Sequence, residues 1–255
     1  MLMKTSSIAF TLLSFGLLDL ASAAPRPVKR QLAQIYDRCT EPNTVALTFD
    51  DGPYIYARDI SDVLTQNGAK GTFFYNGNNW DCIYDQNIMD NVRYVYGQGH
   101  QVASHTWRHA DLSTLSWDQV HDEMWRVEQA LQRIVGVVPA FMRPPYGSYN
   151  DNVRAVAAAR GQSLVLWDFD AGDADGKPPA DNIRDYTDKI NQHPNTLLPL
   201  NHETYETTAH QVIPQVVSQL KAAGYRMVTV AECLGGMNPY QSVGEPGTPD
   251  GSWSC

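Results

Sequence analysis

The stretch Val45-Ala46-Leu47-Thr48-Phe49-Asp50-Asp51-Gly52-Pro53 decides the fold class. Its first five residues form an uninterrupted apolar and β-branched run, which is typical of a short strand buried on both faces of a parallel sheet. Gly52 and Pro53 end the strand in a turn. Two carboxylates therefore stand where the strand ends, and the segment predicts an α/β protein with polar residues at that edge of its sheet.

Six similar runs follow, separated by segments of helical period. The further predicted strands are Gly71–Tyr75, Gln101–Ser104, Ala140–Arg143, Ser163–Trp167, Thr196–Leu200 and Arg226–Val230. The predicted helices are Arg58–Asn67, Ser116–Ile134, Asn152–Arg160 and His210–Ala223. Seven βα units predict a distorted (β/α)7 TIM-like barrel with parallel strands, whose active site lies at the carboxyl ends of the strands.

The amino terminus predicts secretion. Lys4, an apolar run from Ile8 to Leu20 and the small residues Ala21-Ser22-Ala23 indicate a signal peptide over residues 1–23. Residues 24–30 end in a dibasic pair and are interpreted as a basic propeptide. Residues 31–255 are predicted to form one domain with a Gly- and Pro-rich tail at 235–255, and no stretch is long enough to span a membrane.

Charge and cysteines limit the function classes further. Residues 1–30 hold 4 of the 19 basic and 1 of the 28 acidic residues, so the remainder has a net charge near -12, which argues against nucleic acid as a partner. Four cysteines in a secreted chain favour disulfides, and three connectivities are open. We favour Cys39–Cys233, because these residues flank the first and last predicted barrel strands, which leaves Cys82–Cys255. Free thiols or a metal cluster are the alternatives.

Two strand ends carry candidate metal chemistry. After the Asp50-Asp51 pair, the third strand leads into Ser104-His105-Thr106-Trp107-Arg108-His109. Two imidazoles four residues apart can face the same side, and with one carboxylate they form an open three-ligand set that leaves a position for water. Taken singly, the carboxylates could be a solvated turn and the histidines structural residues.

The next strand ends supply candidate acid–base groups. Arg143-Pro144-Pro145-Tyr146-Gly147 holds the backbone extended, so that an N–H can be aimed at an oxyanion, although a stiff surface loop has the same composition. Asp168, Asp170 and Asp173 follow the fifth strand, and His202 follows the sixth. A histidine opposite an aspartate can stay charged near neutral pH and act as a general acid.

Taken in order, Thr-Phe-Asp-Asp, His-Thr-x-x-His, Arg-Pro-Pro-Tyr, Asp-x-x-Asp and Leu-x-Leu-x-His resemble the five motifs of the family-four carbohydrate esterases, the NodB-type polysaccharide deacetylases. The resemblance spans about residues 39–235. The segment from Phe74 to Trp80 and Ala110-Asp111-Leu112 are similar to the fungal chitin deacetylases in particular. The resemblance implies metal-dependent removal of N-acetyl groups from the N-acetylglucosamine units of chitin, with release of acetate.

Residue roles are carried over motif by motif. The implied metal ligands are Asp51, His105 and His109, for one divalent ion that is usually zinc, with cobalt as a substitute. The implied catalytic residues are Asp50 as general base, Arg143 to orient it, the Tyr146 N–H for the oxyanion, His202 as general acid and Asp173 to hold it. The implied substrate contacts are Leu200, Tyr146 and Trp80.

Two departures from the family pattern stand out: Ala174 replaces an aromatic residue, and Glu203 stands where many members have Asp. The first leaves open whether Asp170 or Asp173 supports His202. Acetylxylan O-deacetylation and peptidoglycan N-deacetylation are rival activities with the same motifs, and an inactive chitin-binding protein is a more distant alternative. We expect a secreted monomer that acts on chitin or another acetylated polysaccharide and binds neither nucleic acid nor membranes.

Overall fold

The computed structural model describes residues 31–255 and the isolated residue Leu2, so the predicted signal peptide and propeptide lie outside the described residues. Residues 31–255 form one compact unit. Its strands are β1 (Ile35–Tyr36), β2 (Thr44–Val45), β3 (Leu47–Asp50), β4 (Gly71–Tyr75), β5 (Gln101–Ser104), β6 (Val137–Pro139), β7 (Phe141–Met142), β8 (Ser163–Val165), β9 (Phe169–Asp170), β10 (Thr196–Leu197), β11 (Pro199–His202), β12 (Arg226–Met227) and β13 (Tyr240–Val243). Its α-helices are α1 (Ala57–Gln66), α2 (Gln86–Gly97), α3 (Trp117–Val135), α4 (Asp151–Ala159), α5 (Pro179–Asn191), α6 (Ile213–Ala222) and α7 (Val230–Cys233).

Eight parallel strands curl into a half-barrel in the order β1-β8-β7-β5-β4-β3-β11-β9. A smaller parallel sheet, β10-β2-β12, continues the same strands at their amino-terminal ends, because β2 runs into β3 and β10 runs into β11. Strands β3, β4 and β5 are buried along their whole length, and helices cover them. The architecture is the predicted distorted (β/α)7 barrel, with the carboxyl ends of the strands at one edge.

One continuous segment bridges the two edges of the large sheet. Strand β8 lies beside β7, and after three residues the chain becomes β9, which lies beside β11. Between them, Leu166 N donates to Tyr36 O, and Asp168 N donates to Leu198 O. Residues 163–170 therefore run from β8, which pairs with the edge strand β1, to the opposite edge strand β9, and they connect the two sides of the half-barrel.

Seven strand runs correspond to the seven predicted strands, with corrections at their ends. The predicted strand at 226–230 stops at Met227, because Thr229 and Glu232 form a capping box that starts helix α7. The predicted helix at 210–223 begins with a π-helical turn at Thr208–Val212 before α6. Strand β1 and helices α2 and α5 were not predicted.

Two disulfides, Cys39–Cys233 and Cys82–Cys255, confirm the predicted pairing. The prediction placed Cys39 before the first strand, but the structure has an additional strand, β1, before it. The tail is attached to the domain by more than its disulfide, because β13 pairs antiparallel with β6. Among residues 31–255, no helix is long and apolar enough to cross a membrane.

Candidate active site

Three predicted ligands meet at the carboxyl end of the sheet. One ligand atom from each of Asp51, His105 and His109 lies within 4.8 Å of the others. Asp51 Oδ1 is 3.2 Å from His109 Nε2 and 3.6 Å from His105 Nε2. The Asp51 Oδ1 atom is buried without a hydrogen-bond partner, which is costly unless a cation binds it. One carboxylate and two imidazoles that converge in this way fit a divalent metal such as zinc.

The His105 ring is oriented by a backbone carbonyl. Its Nδ1 lies 2.7 Å from Arg143 O, and because a carbonyl can only accept, Nδ1 carries the proton. Nε2 is then unprotonated on the side of the ring where Asp51 Oδ1 lies. Burial lowers the pKa of His105 to about 3, so the ring is neutral at physiological pH. A neutral ring with a fixed tautomer is the form that coordinates a metal.

Left-handed backbone conformations aim these side chains. Asp51, Thr106, His109 and Tyr146 all have positive φ, between 56° and 72°. Non-glycine residues adopt this region only when the surroundings compensate its cost, and such residues cluster at functional sites. His105 and His109 are therefore brought to the same side by a tight loop rather than by a helical turn. Asn76 supports this loop, because its Nδ2 donates to the carbonyls of His105 and Thr106.

Asp50 is held from one side by a buried arginine. Arg143 Nη1 donates to Asp50 Oδ1 at 2.9 Å and also to Thr48 Oγ1, while Nε and Nη2 donate to the carbonyls of Val165 and Leu166. The other carboxylate oxygen, Oδ2, is 3.6 Å from His105 Nε2. Burial raises the pKa of the Asp50 carboxyl, and the charge of Arg143 opposes this shift.

His202 stands beside Asp50 on the neighbouring strand, since the two residues are register partners across β11 and β3. Its Nδ1 is 2.8 Å from Asp173 Oδ1, and its backbone N–H donates to Asp173 Oδ2. Burial alone would lower the pKa of His202, but the hydrogen bond and charge of Asp173 outweigh it and raise the pKa to about 9. Asp170 instead accepts from Gly172 N, so Asp173 is the carboxylate in contact with His202.

One cleft of about 270 Å³ is lined by the three predicted metal ligands, by Asp50 and by His202, together with Leu200, Trp167, Asp170 and Ala174. Leu200 is buried on β11, and Tyr146 is 70% exposed with its ring against His109. Trp80, predicted as a substrate contact, does not line this cleft. It is 47% exposed and lies beside Tyr205, whose ring contacts that of His202.

Two residues of the site were not predicted to have a functional role. Glu203 is fully buried, accepts from Tyr54 N through Oε1, and lies against Gly52, where a side chain would not fit. Thr208 Oγ1 donates to Asp173 Oδ2 and completes the partners of that carboxylate. Glu203 directly follows the final motif histidine, and this position is the sequence signal from which its place in the site could have been predicted.

The sequence matches the polysaccharide deacetylase family over residues 37–165. It is 35% identical to a chitin deacetylase of Pestalotiopsis sp over 90% of this chain and 79% of the relative. It is also 35% identical to a probable peptidoglycan-N-acetylglucosamine deacetylase of Arthroderma benhamiae, over 79% of this chain and 46% of the relative.

Among solved structures, the chitin deacetylase of Colletotrichum lindemuthianum matches with a TM-score of 0.78 and 33% identity, over 83% of this chain and 96% of that one. The sequence match, the fold and the order of the motifs agree with one another. The chain belongs to the polysaccharide deacetylase family.

Proposed function

We propose that this protein hydrolyses N-acetyl groups on the N-acetylglucosamine units of chitin. The observation that carries the proposal is the cleft itself. In it, a three-ligand set, a carboxylate that is hydrogen-bonded through only one oxygen and a charged histidine lie together at the strand ends. Relatives named as chitin deacetylases, at about 35% identity, support chitin as the substrate.

Asp51, His105 and His109 would hold one divalent metal, with zinc proposed and cobalt as a substitute. When bound there, such an ion supplies Lewis-acid chemistry that polarises an acetyl carbonyl and makes a water more acidic. The buried, unpartnered Asp51 oxygen and the neutral His105 ring suit this role.

The chain's own groups then complete the hydrolysis. Asp50, oriented by Arg143, takes a proton from the attacking water as the new C–O bond forms. The Tyr146 backbone N–H donates to the acetyl oxygen as negative charge develops on it. His202, charged through its contact with Asp173, gives its proton to the nitrogen as the C–N bond breaks. The products are acetate and a glucosamine unit.

Leu200 lines the cleft beside these groups and would contact the acetyl methyl. Trp80 is proposed to contact the sugar chain outside the cleft. Peptidoglycan N-deacetylation is the second candidate, favoured by the Arthroderma relative. Two disulfides fit an oxidising compartment, and we propose a secreted monomer.

The test is acetate release from chitin oligomers, acetylxylan and peptidoglycan, offered in parallel to the zinc-loaded protein. We expect the highest kcat/KM on chitin oligomers, with loss of activity on chelation and recovery with zinc or cobalt. A preference for peptidoglycan would select the second candidate. Binding to chitin without acetate release from any of the three substrates would identify an inactive binding protein.

A further inference from the structure

A second groove, of about 540 Å³, lies away from the active site. Its walls include the residues at which α4 ends and the chain turns towards β8. This region lies at the amino-terminal ends of the strands, whereas the active-site cleft lies at their carboxyl ends. Helix α3 and the tail strand β13 also contribute to its walls, through Trp125 and Gln241. The groove is therefore separate from the proposed catalytic machinery.

One face of α3 gives this groove an aromatic side chain and two amides in a row. Trp125, Gln129 and Gln132 are spaced i, i+4 and i+7, so they lie on the same side of the helix over roughly 10 Å. The Trp125 side chain is 41% exposed, and Gln132 is exposed as well. A large exposed indole beside such groups offers a ligand an apolar face and hydrogen-bond partners at the same place.

The charged residues of the groove neutralise each other. Arg160 Nε donates to Glu128 Oε1 at 2.7 Å, Arg160 Nη2 bonds the other carboxylate oxygen, and Gln162 Nε2 also donates to Oε1. Glu128 is only 5% exposed, so this network is a fixed part of the groove. On a chain of strongly acidic composition, the groove therefore offers a ligand an indole and amides without a free charge.

A pyranose chain has matching chemistry. Its axial C–H groups form an apolar face that packs on an indole, and its hydroxyl and acetamido groups exchange hydrogen bonds with primary amides. Gln241 Nε2 donates to the carbonyls of Pro139 and Arg160, which fixes the amide at the wall of the groove and leaves its Oε1 as an acceptor.

We propose that this groove, defined by Trp125, Gln129, Gln132 and Gln241, is a second binding site for a neutral polysaccharide chain, which attaches the protein to solid chitin while the cleft acts on another segment. The choice of chitin as ligand rests on the proposed function. The groove would increase the local concentration of substrate at a surface, as a second linked binding site does, and it would contribute little on short soluble oligomers.

The test compares Trp125→Ala with wild type in depletion isotherms on insoluble chitin powder, with chelator present to prevent turnover. A central aromatic contact predicts about tenfold weaker binding. Trp125→Phe should keep most of the affinity. Met237→Ala, which removes another exposed apolar side chain outside the groove, should bind like wild type. With zinc restored, Trp125→Ala should release acetate from chitin powder several-fold more slowly, at unchanged kcat/KM on soluble chitotriose.

Equal binding of Trp125→Ala and wild type would overturn the second site, while acetate release by wild type would leave the proposed function intact. Conversely, Trp125-dependent binding by a protein that releases no acetate would retain the groove and reject the activity. If Trp125→Ala does not fold, as judged by circular dichroism, the double variant Gln129→Ala/Gln132→Ala takes its place. An unchanged isotherm for that variant also refutes the proposal.

Discussion

Two arginine–carboxylate pairs, each with a buried carboxylate, lie at the two ends of this barrel, and they are built differently. At the carboxyl end, Arg143 bonds Asp50 through one oxygen and uses its remaining donors on Thr48 and two backbone carbonyls. At the other end, Arg160 bonds both oxygens of Glu128, and Gln162 adds a third donor. The first carboxylate lines a cleft with one oxygen uncommitted, whereas the second has both oxygens engaged.

The difference separates a group kept for chemistry from a group kept for structure. A carboxylate with both oxygens bonded has no lone pair directed at a substrate, but Glu128 holds helix α3 to the end of α4 and to the turn that leads into β8. A carboxylate bonded on one side is oriented and remains able to accept a proton. His202 follows the first pattern, because Nδ1 contacts Asp173 while the ring also lines the cleft.

The largest expected effect is on turnover. Asp50→Asn keeps the shape of the side chain but removes the proton acceptor, so acetate release from chitin oligomers should fall by roughly 10²- to 10⁴-fold or more. Metal content, measured by mass spectrometry, should stay at one ion per chain. Glu128→Gln, the matched change in the other pair, should leave kcat per folded molecule unchanged.

The neighbouring carboxylate gives the internal control. Asp51→Ala should lose both metal and activity, because its Oδ1 lies between the two imidazoles. If Asp50→Asn and Asp51→Ala lose metal to the same extent, the division of roles between the two neighbours is wrong. If Glu128→Gln lowers kcat as strongly as Asp50→Asn, the contrast between the two pairs fails.

The next effect distinguishes amide from ester substrates. An amine anion cannot leave, whereas an activated aryl acetate expels its alcohol with little help. His202→Ala should therefore depress acetate release from chitin oligomers by roughly 10²- to 10⁴-fold, and hydrolysis of the aryl ester much less. The residual esterase activity should still disappear on chelation. Equal losses on both substrates would withdraw the general-acid assignment.

Local sequence signals account for much of the fold. Helix α3 was predicted from the capping box at Ser116, and helices α1, α4 and α6 from the glycines that end them, Gly68, Gly161 and Gly224. Helices α2 and α5 begin without a side-chain cap hydrogen bond, as α1 and α6 also do, and were not predicted. The capping box of α7 was missed as well, because this helix of four residues lies where the last strand was expected to end. The two-residue strand β1 is too short to show a period. Its pairing with β8, like that of β13 with β6, depends on contacts distant in sequence.

The candidate site, too, could be predicted from the sequence only in part. Asp51, His105 and His109 could be placed together because the ends of parallel strands converge, and the structure brings them within 4.8 Å. The one-sided bonding of Asp50 could not be deduced, since it depends on where Arg143 finds its other acceptors. Likewise, Asp173 rather than Asp170 contacts His202 because Asp170 accepts from Gly172 N, a detail of the local turn.

A smaller effect is expected on the free energy of unfolding. Here the change in the Arg160–Glu128 pair should have the larger effect, whereas the change in the Arg143–Asp50 pair has the larger effect on turnover. Glu128→Gln should lower the free energy of unfolding by about 2–3 kcal/mol, below the cost of breaking a fully buried pair because Arg160 is partly exposed. Asp50→Asn should cost less although its pair is more buried, because burial already disfavours the Asp50 charge, as its raised pKa shows, and Arg143 keeps three other acceptors. Urea unfolding of the metal-free proteins measures both values. A larger loss in Asp50→Asn would reverse the structural interpretation.

The smallest effect concerns pH and tests whether Asp173 keeps His202 charged. The pKa of His202 is raised to about 9, so its protonated form is present at neutral pH and is lost as pH rises through about 9. kcat/KM on chitin oligomers should decline on that alkaline limb. In Asp173→Asn the pKa-lowering effect of burial is no longer outweighed, and the pKa of His202 should fall to its ordinary value near 6.5 or below. Activity at pH 7.5 should then drop by about tenfold, because only a minor fraction of the rings stays protonated.

The same shift has a stability consequence with a defined sign. Because the folded-state pKa of His202 is raised, its contribution to stability is complete below pH 6.5 and is lost as pH rises towards 9. Asp173→Asn should therefore flatten the pH dependence of unfolding in this window. The matched control is Asp59→Asn, which removes a carboxylate from the exposed His210, whose pKa is raised by hydrogen bonds to Asp59 and Glu206. Because His210 lies outside the cleft, this variant should keep the alkaline limb of wild type. If Asp173→Asn also keeps that limb, a group other than His202 delivers the proton. The contact between His202 and Asp173 would then have a structural role only.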